Sequence, residues 1–218
     1  MPPASPTPVP RNTVADTWGW LWKDTVGRCL PFALAAAAYA KLSGAGPSAI
    51  GLTGIAPGRD VALGVALGIP MLAVAVAFRA WDAPRYRLPT APDQALQSAF
   101  YFGVNAPAEE LFWRGTVQTL AINGLGLLGP LAPVAGALGW AATTAVFGAY
   151  HRLGNWSWRS IAGVTVAGGA FGLLYLAAPG GSILPVIIVH GFATAGYLSW
   201  GDAALHALKR LRMRRGRV

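Results

Sequence analysis

"NAPAEELFWRG", residues 105–115, contains the only two glutamates of this 218-residue sequence, Glu109 and Glu110. The residues on both sides are largely apolar, as in a helix that crosses a membrane. An ionisable side chain at membrane depth costs at least ~2.5–3.5 kcal/mol on insertion scales, so two adjacent carboxylates need compensation or a purpose. These two glutamates therefore bear on both the fold and the function of the protein.

The composition indicates a membrane protein. Hydrophobic residues make up 54% of the chain and charged residues 11%, and the mean hydropathy is +0.46, which is far from the balance of a soluble domain. Apolar runs suited to crossing a bilayer lie at about residues 26–42, 61–79, 95–123, 131–151, 161–178 and 183–200. The sequence predicts an all-α, polytopic transmembrane helical bundle of about six spans, with more if the 95–123 segment is two helices.

The basic residues predict the orientation. If the chain starts inside and crosses six times, fourteen of its seventeen Lys and Arg residues fall on one side. The other side receives only Lys41 and Arg59, and Arg114 lies within the membrane. Because short cytoplasmic loops collect Lys and Arg, we expect a multi-pass integral protein of the inner (cytoplasmic) membrane with both termini cytoplasmic.

The ends of the chain differ from its middle. Residues 1–15 are Pro-rich at the start and predict a disordered cytoplasmic tail. Residues 16–204 form the predicted transmembrane domain, and residues 205–218 form a basic cytoplasmic tail. Next to a final span, such a tail is expected to face anionic lipid headgroups rather than nucleic acid. The sequence gives no prediction of the oligomeric state.

The two glutamates differ in their helical neighbours. Glu110 and Arg114 are four residues apart, which places them on one helix face and lets the guanidinium neutralise that carboxylate. Glu109 points about 100° away, and the spacing provides it with no such partner. Pro107 fits the first turn of a helix. If the span breaks there, both carboxylates lie near a helix N-terminus, where the dipole favours negative charge.

Two histidines also lie in apolar spans. "FGAYH" places Phe147 four residues before His151, and "HGFAT" places His190 four residues before Thr194, so each pair shares a helix face. Taken singly, these residues fit packing, an interfacial histidine, or a Thr hydroxyl bonded back to residue 190. Taken together with Glu109, they are polar groups from three spans that a bundle could gather around one cavity, which suits hydrolysis.

The three stretches "EELFWR", "FGAYH" and "HGFAT", in this order, resemble the motifs of a known family. These motifs, Glu-Glu-x-x-x-Arg, Phe-x-x-x-His and His-x-x-x-Asn, are those of the CAAX-protease and bacteriocin-processing (CPBP) family of intramembrane proteases. The resemblance covers about residues 95–200. Trp113 stands where Phe is usual, and Thr194 stands where Asn is typical. Thr offers one donor with a different reach from that of Asn.

The resemblance implies an intramembrane endopeptidase that cleaves a membrane-associated protein or peptide. It further implies that Glu109 and His151 activate a water, and that His190 and Thr194 stabilise the oxyanion. Glu110, Arg114 and Phe147 would then support the site structurally.

Alternatives remain at this point. Glu109, His151 and His190 could bind a catalytic zinc, although the HExxH spacing is absent, and we expect no cofactor. A non-catalytic peptide- or lipid-binding protein or immunity factor of the same fold would keep the cavity. A proton-coupled transporter is disfavoured because the sequence shows no inverted repeat.

Overall fold

The computed structural model describes residues 11–82 and 88–215, and these residues are almost entirely helical. Six long helices account for most of them. The helices are α1 (residues 14–42), α2 (Pro57–Asp82), α3 (residues 91–126), α4 (Ala135–Tyr150), α5 (Trp158–Ala177) and α6 (residues 184–215). Short 3₁₀ turns lie in the connections, at Gly46–Ile50, Gly129–Val134, His151–Gly154 and Pro179–Gly181. The predicted all-α helical membrane bundle is confirmed.

Four of the helical segments are long and apolar enough to cross a membrane by length and composition. They are Pro57–Asp82, Gly129–Gly154, Trp158–Ala177 and Leu184–Leu211. The remaining two predicted spans, 26–42 and 95–123, lie within α1 and α3. The first includes Arg28 and Lys41, and the second includes Glu109, Glu110 and Arg114. Polar groups inside a bundle are tolerated where they face protein or a wet cavity.

The start of the chain is held by a short pairing and a helix cap. Residues Arg11–Asn12 (β1) pair in parallel with Leu88–Pro89 (β2). Thr13 caps α1 in a capping box with Asp16. Residues 11–15, the end of the predicted tail, thus lie in this strand and at the start of α1, and residues 1–10 of that tail lie outside the described residues. At the other end, α6 continues as helix to Arg215, so the basic tail predicted from residue 205 begins as helix.

The helix that carries the glutamates is continuous. It runs through Ala91–Phe100, a π turn at Tyr101–Asn105, Ala106–Glu110, a π turn at Leu111–Gln118, and Thr119–Gly126. The helix therefore neither breaks at Pro107 nor divides into two helices within 95–123. The π turn before Pro107 already replaces the usual backbone bonds, with Ala106 N–H donating to the carbonyl of Tyr101, so the proline is accommodated without a break.

Because there is no free helix N-terminus at the glutamates, other groups must compensate their charge. Two further π turns occur in the described chain, at Thr25–Cys29 in α1 and at Gly196–Trp200 in α6. Such turns are concentrated at functional sites. The four π turns of the described residues all lie in α1, α3 or α6, the helices that carry Arg28, the two glutamates and His190.

The packing places α3 in the centre of the bundle. Most residues from Phe100 to Gln118 are buried. At its side, α2 packs along α6 at close range, because Gly64 and Gly68 leave room for Ile188 and Phe192. A Cβ at position 68 would lie only 2.0 Å from Cδ2 of Phe192. The helices α2 and α6 together form one side of a cavity that Glu109 also lines.

Candidate active site

A cavity of about 1110 Å³ lies within the bundle, and all six helices contribute to its wall. Its lining includes the residues that the sequence singled out for chemistry: Glu109, Phe147, His151, His190 and Thr194. Glu110 and Arg114 lie directly behind this wall, fully buried. The structure thus brings together the polar groups of α3, α4 and α6 that lie far apart in sequence.

Glu109 does not lack partners, so the prediction of an unpaired carboxylate is wrong. Its Oε1 contacts Nη1 of Arg28, from α1, and accepts a hydrogen bond of 3.0 Å from Nδ2 of Asn105. Its Oε2 lies 3.9 Å from Nε2 of His190. With its side chain only 4% exposed, Glu109 needs such donors, because an unpaired buried charge is costly.

Glu110 forms the predicted ion pair with Arg114 and also contacts a histidine. Its Oε1 accepts a hydrogen bond of 3.0 Å from Nη1 of Arg114 and lies 2.5 Å from Nδ1 of His190. The two members of the ion pair are 0% and 1% exposed. The pair with Arg114 is confirmed, and the contact with His190 is an additional finding that joins α3 to α6.

Arg114 is enclosed on its remaining sides. Its Nη2 donates a 2.7 Å hydrogen bond to the carbonyl of Gly168 in α5. The guanidinium also lies over the rings of Phe147, at 4.5 Å, and Phe171, at 5.5 Å. A Cβ at Gly168 would lie 2.4 Å from Cδ1 of Phe147 and 3.1 Å from Nη2 of Arg114. The absence of a side chain at position 168 is therefore a condition for this packing.

His151 is oriented by its own helix. Its Nδ1 lies 2.8 Å from the carbonyl oxygen of Phe147. Since a carbonyl can only accept, Nδ1 carries the hydrogen, and in the neutral ring Nε2 holds the free lone pair. The ring packs edge-on against Phe147, at 4.7 Å, and Trp156, at 5.1 Å. His151 is thus a fixed hydrogen-bond acceptor at the cavity wall.

Thr194 is half-buried at the cavity wall. Within residues 11–82 and 88–215, its hydroxyl makes no hydrogen bond. Other helical hydroxyls in this chain bond back one turn, as Thr165 does to the carbonyl of Ile161 at 2.7 Å. The alternative in which Thr194 is bonded back to residue 190 is therefore not formed, and the hydroxyl is available to the cavity.

The zinc alternative finds little support in the arrangement of side chains. In the part of the chain that the structure describes, no three or more His, Cys, Asp or Glu side chains are grouped so that they could hold a metal ion. Of the three alternative ligands, His190 already has Nδ1 against Glu110. That the site works without a metal remains a prediction.

The site contains residues that sequence reasoning missed. Arg28 was counted only as a basic residue of the inner side, and Asn105 was not considered. Both belong to pairs with helical spacing, since Arg28 follows Asp24 by four residues and Asn105 precedes Glu109 by four. A spacing of four residues indicates that two side chains can contact each other within one helix. It does not show which distant carboxylate an arginine of α1 will reach.

The fold and the site together define a polytopic helical membrane protein with a buried carboxylate–histidine centre. Residues 91–196 match the family model described as type II CAAX prenyl endopeptidase Rce1-like. Over these residues the chain is similar to this Rce1-like family, which agrees with the CPBP resemblance of the three motifs. No curated protein and no solved structure matched the chain.

The matched segment includes Glu109, His151, His190 and Thr194 but excludes α1. The family is a protease family, and it implies CAAX intramembrane protease activity in general and membrane-associated peptide substrates.

Proposed function

We propose that this protein is an intramembrane endopeptidase that hydrolyses a peptide bond of a membrane-associated protein or peptide with a water molecule. The observation that carries the proposal is the convergence of Glu109, His151, His190 and Thr194 on one cavity, from α3, from the 3₁₀ turn that follows α4, and from α6. The rest of the cavity wall is mainly apolar, which suits a substrate that arrives with a lipid anchor or an apolar segment.

The attacking water is activated by Glu109. Oε1 of this carboxylate is occupied by Arg28 and Asn105, so Oε2 is the oxygen left to accept the water proton. The free lone pair of His151 Nε2 accepts the second hydrogen bond of the same water. As the water oxygen bonds to the carbonyl carbon, one proton passes to Glu109 and negative charge develops on the carbonyl oxygen.

That oxyanion is stabilised by His190 and Thr194. With Nδ1–H directed at Glu110, His190 donates to the oxyanion from Nε2 when both ring nitrogens carry hydrogen. The hydroxyl of Thr194 supplies a second donor. The C–N bond then breaks, and the leaving amine takes the proton from Glu109.

This mechanism revises the role of Glu110. The spacing predicts its ion pair with Arg114, and the resemblance implies that the two residues only support the site structurally. Its contact with Nδ1 of His190 at 2.5 Å supports a second role, in which Glu110 fixes the imidazole and balances its charge. The arrangement is analogous to the acid–histidine contact of a hydrolytic triad, where the acid orients the ring.

The test uses protein purified in detergent micelles. The probe is a quenched fluorescent peptide that ends in a farnesylated Cys followed by three residues, chosen from the chemistry that the family description states. The wild type should cleave the probe, whereas Glu109→Gln should not, because Gln keeps the shape and cannot take the water proton. A wild type that binds the probe, measured by fluorescence anisotropy, without cleaving it would instead indicate a binding protein.

No metal takes part in the proposed mechanism. Treatment of the active wild type with a chelator such as 1,10-phenanthroline should therefore leave the rate unchanged. Loss of activity with the chelator, restored by added zinc, would contradict the metal-free mechanism while leaving the peptidase activity itself established.

A further inference from the structure

The helix α1 contributes to the site although it lies outside the segment that matches the family. Trp20, Asp24 and Arg28 of this helix all line the cavity. Arg28 lies in the π turn at Thr25–Cys29, whereas Asp24 closes the regular helix before it. Asp24 and Arg28 thus form a charged pair, one helical turn apart, at the cavity wall next to Glu109 of α3.

The guanidinium of Arg28 is fixed by two carboxylates. Asp24 holds it in a bidentate manner, since Oδ1 accepts from Nε at 2.8 Å and Oδ2 accepts from Nη2 at 2.6 Å. The third nitrogen, Nη1, contacts Oε1 of Glu109. Bidentate arginine–carboxylate pairs are geometrically specific, so Asp24 fixes the direction in which Nη1 points.

The two oxygens of Glu109 are consequently unequal. Oε1 has two donors, Arg28 and Asn105, while Oε2 has neither of them and faces Nε2 of His190 at 3.9 Å. Arg28 is 24% exposed, and Glu109 is 4% exposed. A partly exposed cation is therefore paired with a nearly buried carboxylate, which needs a charge partner to stay ionised.

We infer that Arg28 is a positioning residue for the reaction. It keeps Glu109 ionised and holds the carboxylate so that Oε2 faces the attacking water. This inference rests on the proposed function, in which Glu109 is the base. It makes α1 part of the active site, and it makes residues 91–196 incomplete as a catalytic unit. A merely structural ion pair would stabilise the fold and leave the turnover of folded protein unchanged.

Steady-state kinetics with the farnesylated probe test the inference. Arg28→Gln should lower kcat on the order of 10²-fold, the usual loss when a reacting group is misplaced, while KM stays within about threefold because binding is not its role. Arg28→Lys should recover part of kcat, since it restores the charge without the bidentate geometry. Lys23→Gln removes an exposed cation from the same helix and should behave as the wild type. An Arg28→Gln variant with wild-type kcat overturns the inference.

Should Arg28→Gln fail to fold, Asp24→Asn takes its place. This change leaves Arg28 charged but removes one charged partner of its bidentate pair. A lower kcat at unchanged KM supports the inference, and a wild-type kcat overturns it.

The contact itself is measured separately by thermal unfolding of the wild type, Arg28→Gln, Glu109→Gln and the double variant. A coupling between positions 28 and 109 supports the contact, and strict additivity overturns it.

If the wild type cleaves the probe and Arg28→Gln is as fast, the inference fails and the proposed function stands. If the wild type leaves the probe intact, the proposed function fails, and the catalytic role of Arg28 fails with it whatever the coupling shows.

Discussion

Glu110 Oε1 lies 2.5 Å from His190 Nδ1, and the same oxygen accepts a hydrogen bond of 3.0 Å from Arg114. One buried oxygen thus joins a cation of α3 to a histidine of α6. Its neighbour Glu109 divides such contacts between its two oxygens, with Oε1 held by Arg28 and Asn105 and Oε2 facing the other nitrogen of His190. Both glutamates have an oxygen held by an arginine, and both lie next to the imidazole of His190. The structural role and the chemical role are therefore not assigned to separate glutamates.

Glu110→Gln should reduce both stability and activity. The change leaves the guanidinium of Arg114, 1% exposed, as an uncompensated buried charge, and breaking one partner of such a pair costs about 3–5 kcal/mol. It also removes the charge behind His190. We expect a lower yield and a lower unfolding temperature in detergent, and any purified fraction should cleave slowly.

Glu109→Gln is the comparison for this change, because its partner Arg28 is 24% exposed and keeps Asp24. It should be inactive but should unfold close to the wild-type temperature. If Glu110→Gln is as stable as Glu109→Gln, the buried pair does not support the bundle as described.

Much of this site follows from spacing within single helices. Residues four apart share a face, so the Glu110–Arg114 pair, as well as the Phe147–His151 contact, could be predicted. The six helices could be predicted as well, since apolar runs of sufficient length specify them.

The contacts between helices could not be predicted in this way. The sequence does not specify which face of α1 meets α3, and the π turns at 25–29, 101–105 and 111–118 change the angular position of every residue that follows them. The pairing of Arg28 with Glu109, and that of His190 with Glu110, both depend on such inter-helix angles. The continuity of α3 through Pro107 could not be predicted for a related reason, because a π turn accommodates the proline.

Gly168→Ala should disturb the site through packing alone. Its Cβ would lie 2.4 Å from the ring of Phe147 and 3.1 Å from Nη2 of Arg114, and Phe147 in turn packs on His151. Overpacking of this kind costs typically ~1–3 kcal/mol. We expect a lower unfolding temperature together with a slower kcat.

Gly169→Ala is the matched control for this variant. The next glycine along α5 has its nearest neighbour at 3.4 Å from the added Cβ, an ordinary contact, so the variant should behave as the wild type. Equal effects at positions 168 and 169 would indicate a general intolerance of α5 rather than contact with the site.

The predicted orientation can be checked with reporter fusions. Fusions after residues 58 and 128 should report the outside, and those after residues 90 and 218 the cytoplasm, because the basic residues collect on the inner side. The structure places several of the predicted inner ends together, since Arg79 pairs with Asp202 at 2.7 Å and Ser160 donates to Asp82 at 2.6 Å. Two reversed reporters would contradict the six-span orientation.

Thr194 offers the sharpest test of the oxyanion site, because the family pattern has Asn there. In the structure Thr194 lines the cavity, and its hydroxyl lacks the kind of backbone hydrogen bond that Thr165 makes to Ile161. Thr194→Val keeps the shape and removes the donor, so it should slow cleavage on the order of 10²–10³-fold, as the loss of one oxyanion donor does. Thr194→Asn should recover much of the rate.

The control for this prediction is Thr165→Val in α5. It removes a hydroxyl whose hydrogen bond goes to a helix carbonyl, and such a bond adds little where the backbone is already paired. The two valine variants differ in whether the lost hydroxyl faces the reacting carbonyl, so only the change at position 194 should lower kcat. If both valine variants cleave the probe within about threefold of the wild type, far short of the effect of a donor, Thr194 is not part of the oxyanion site. His190, held by its contact with Glu110, would then have to stabilise the oxyanion without the threonine hydroxyl.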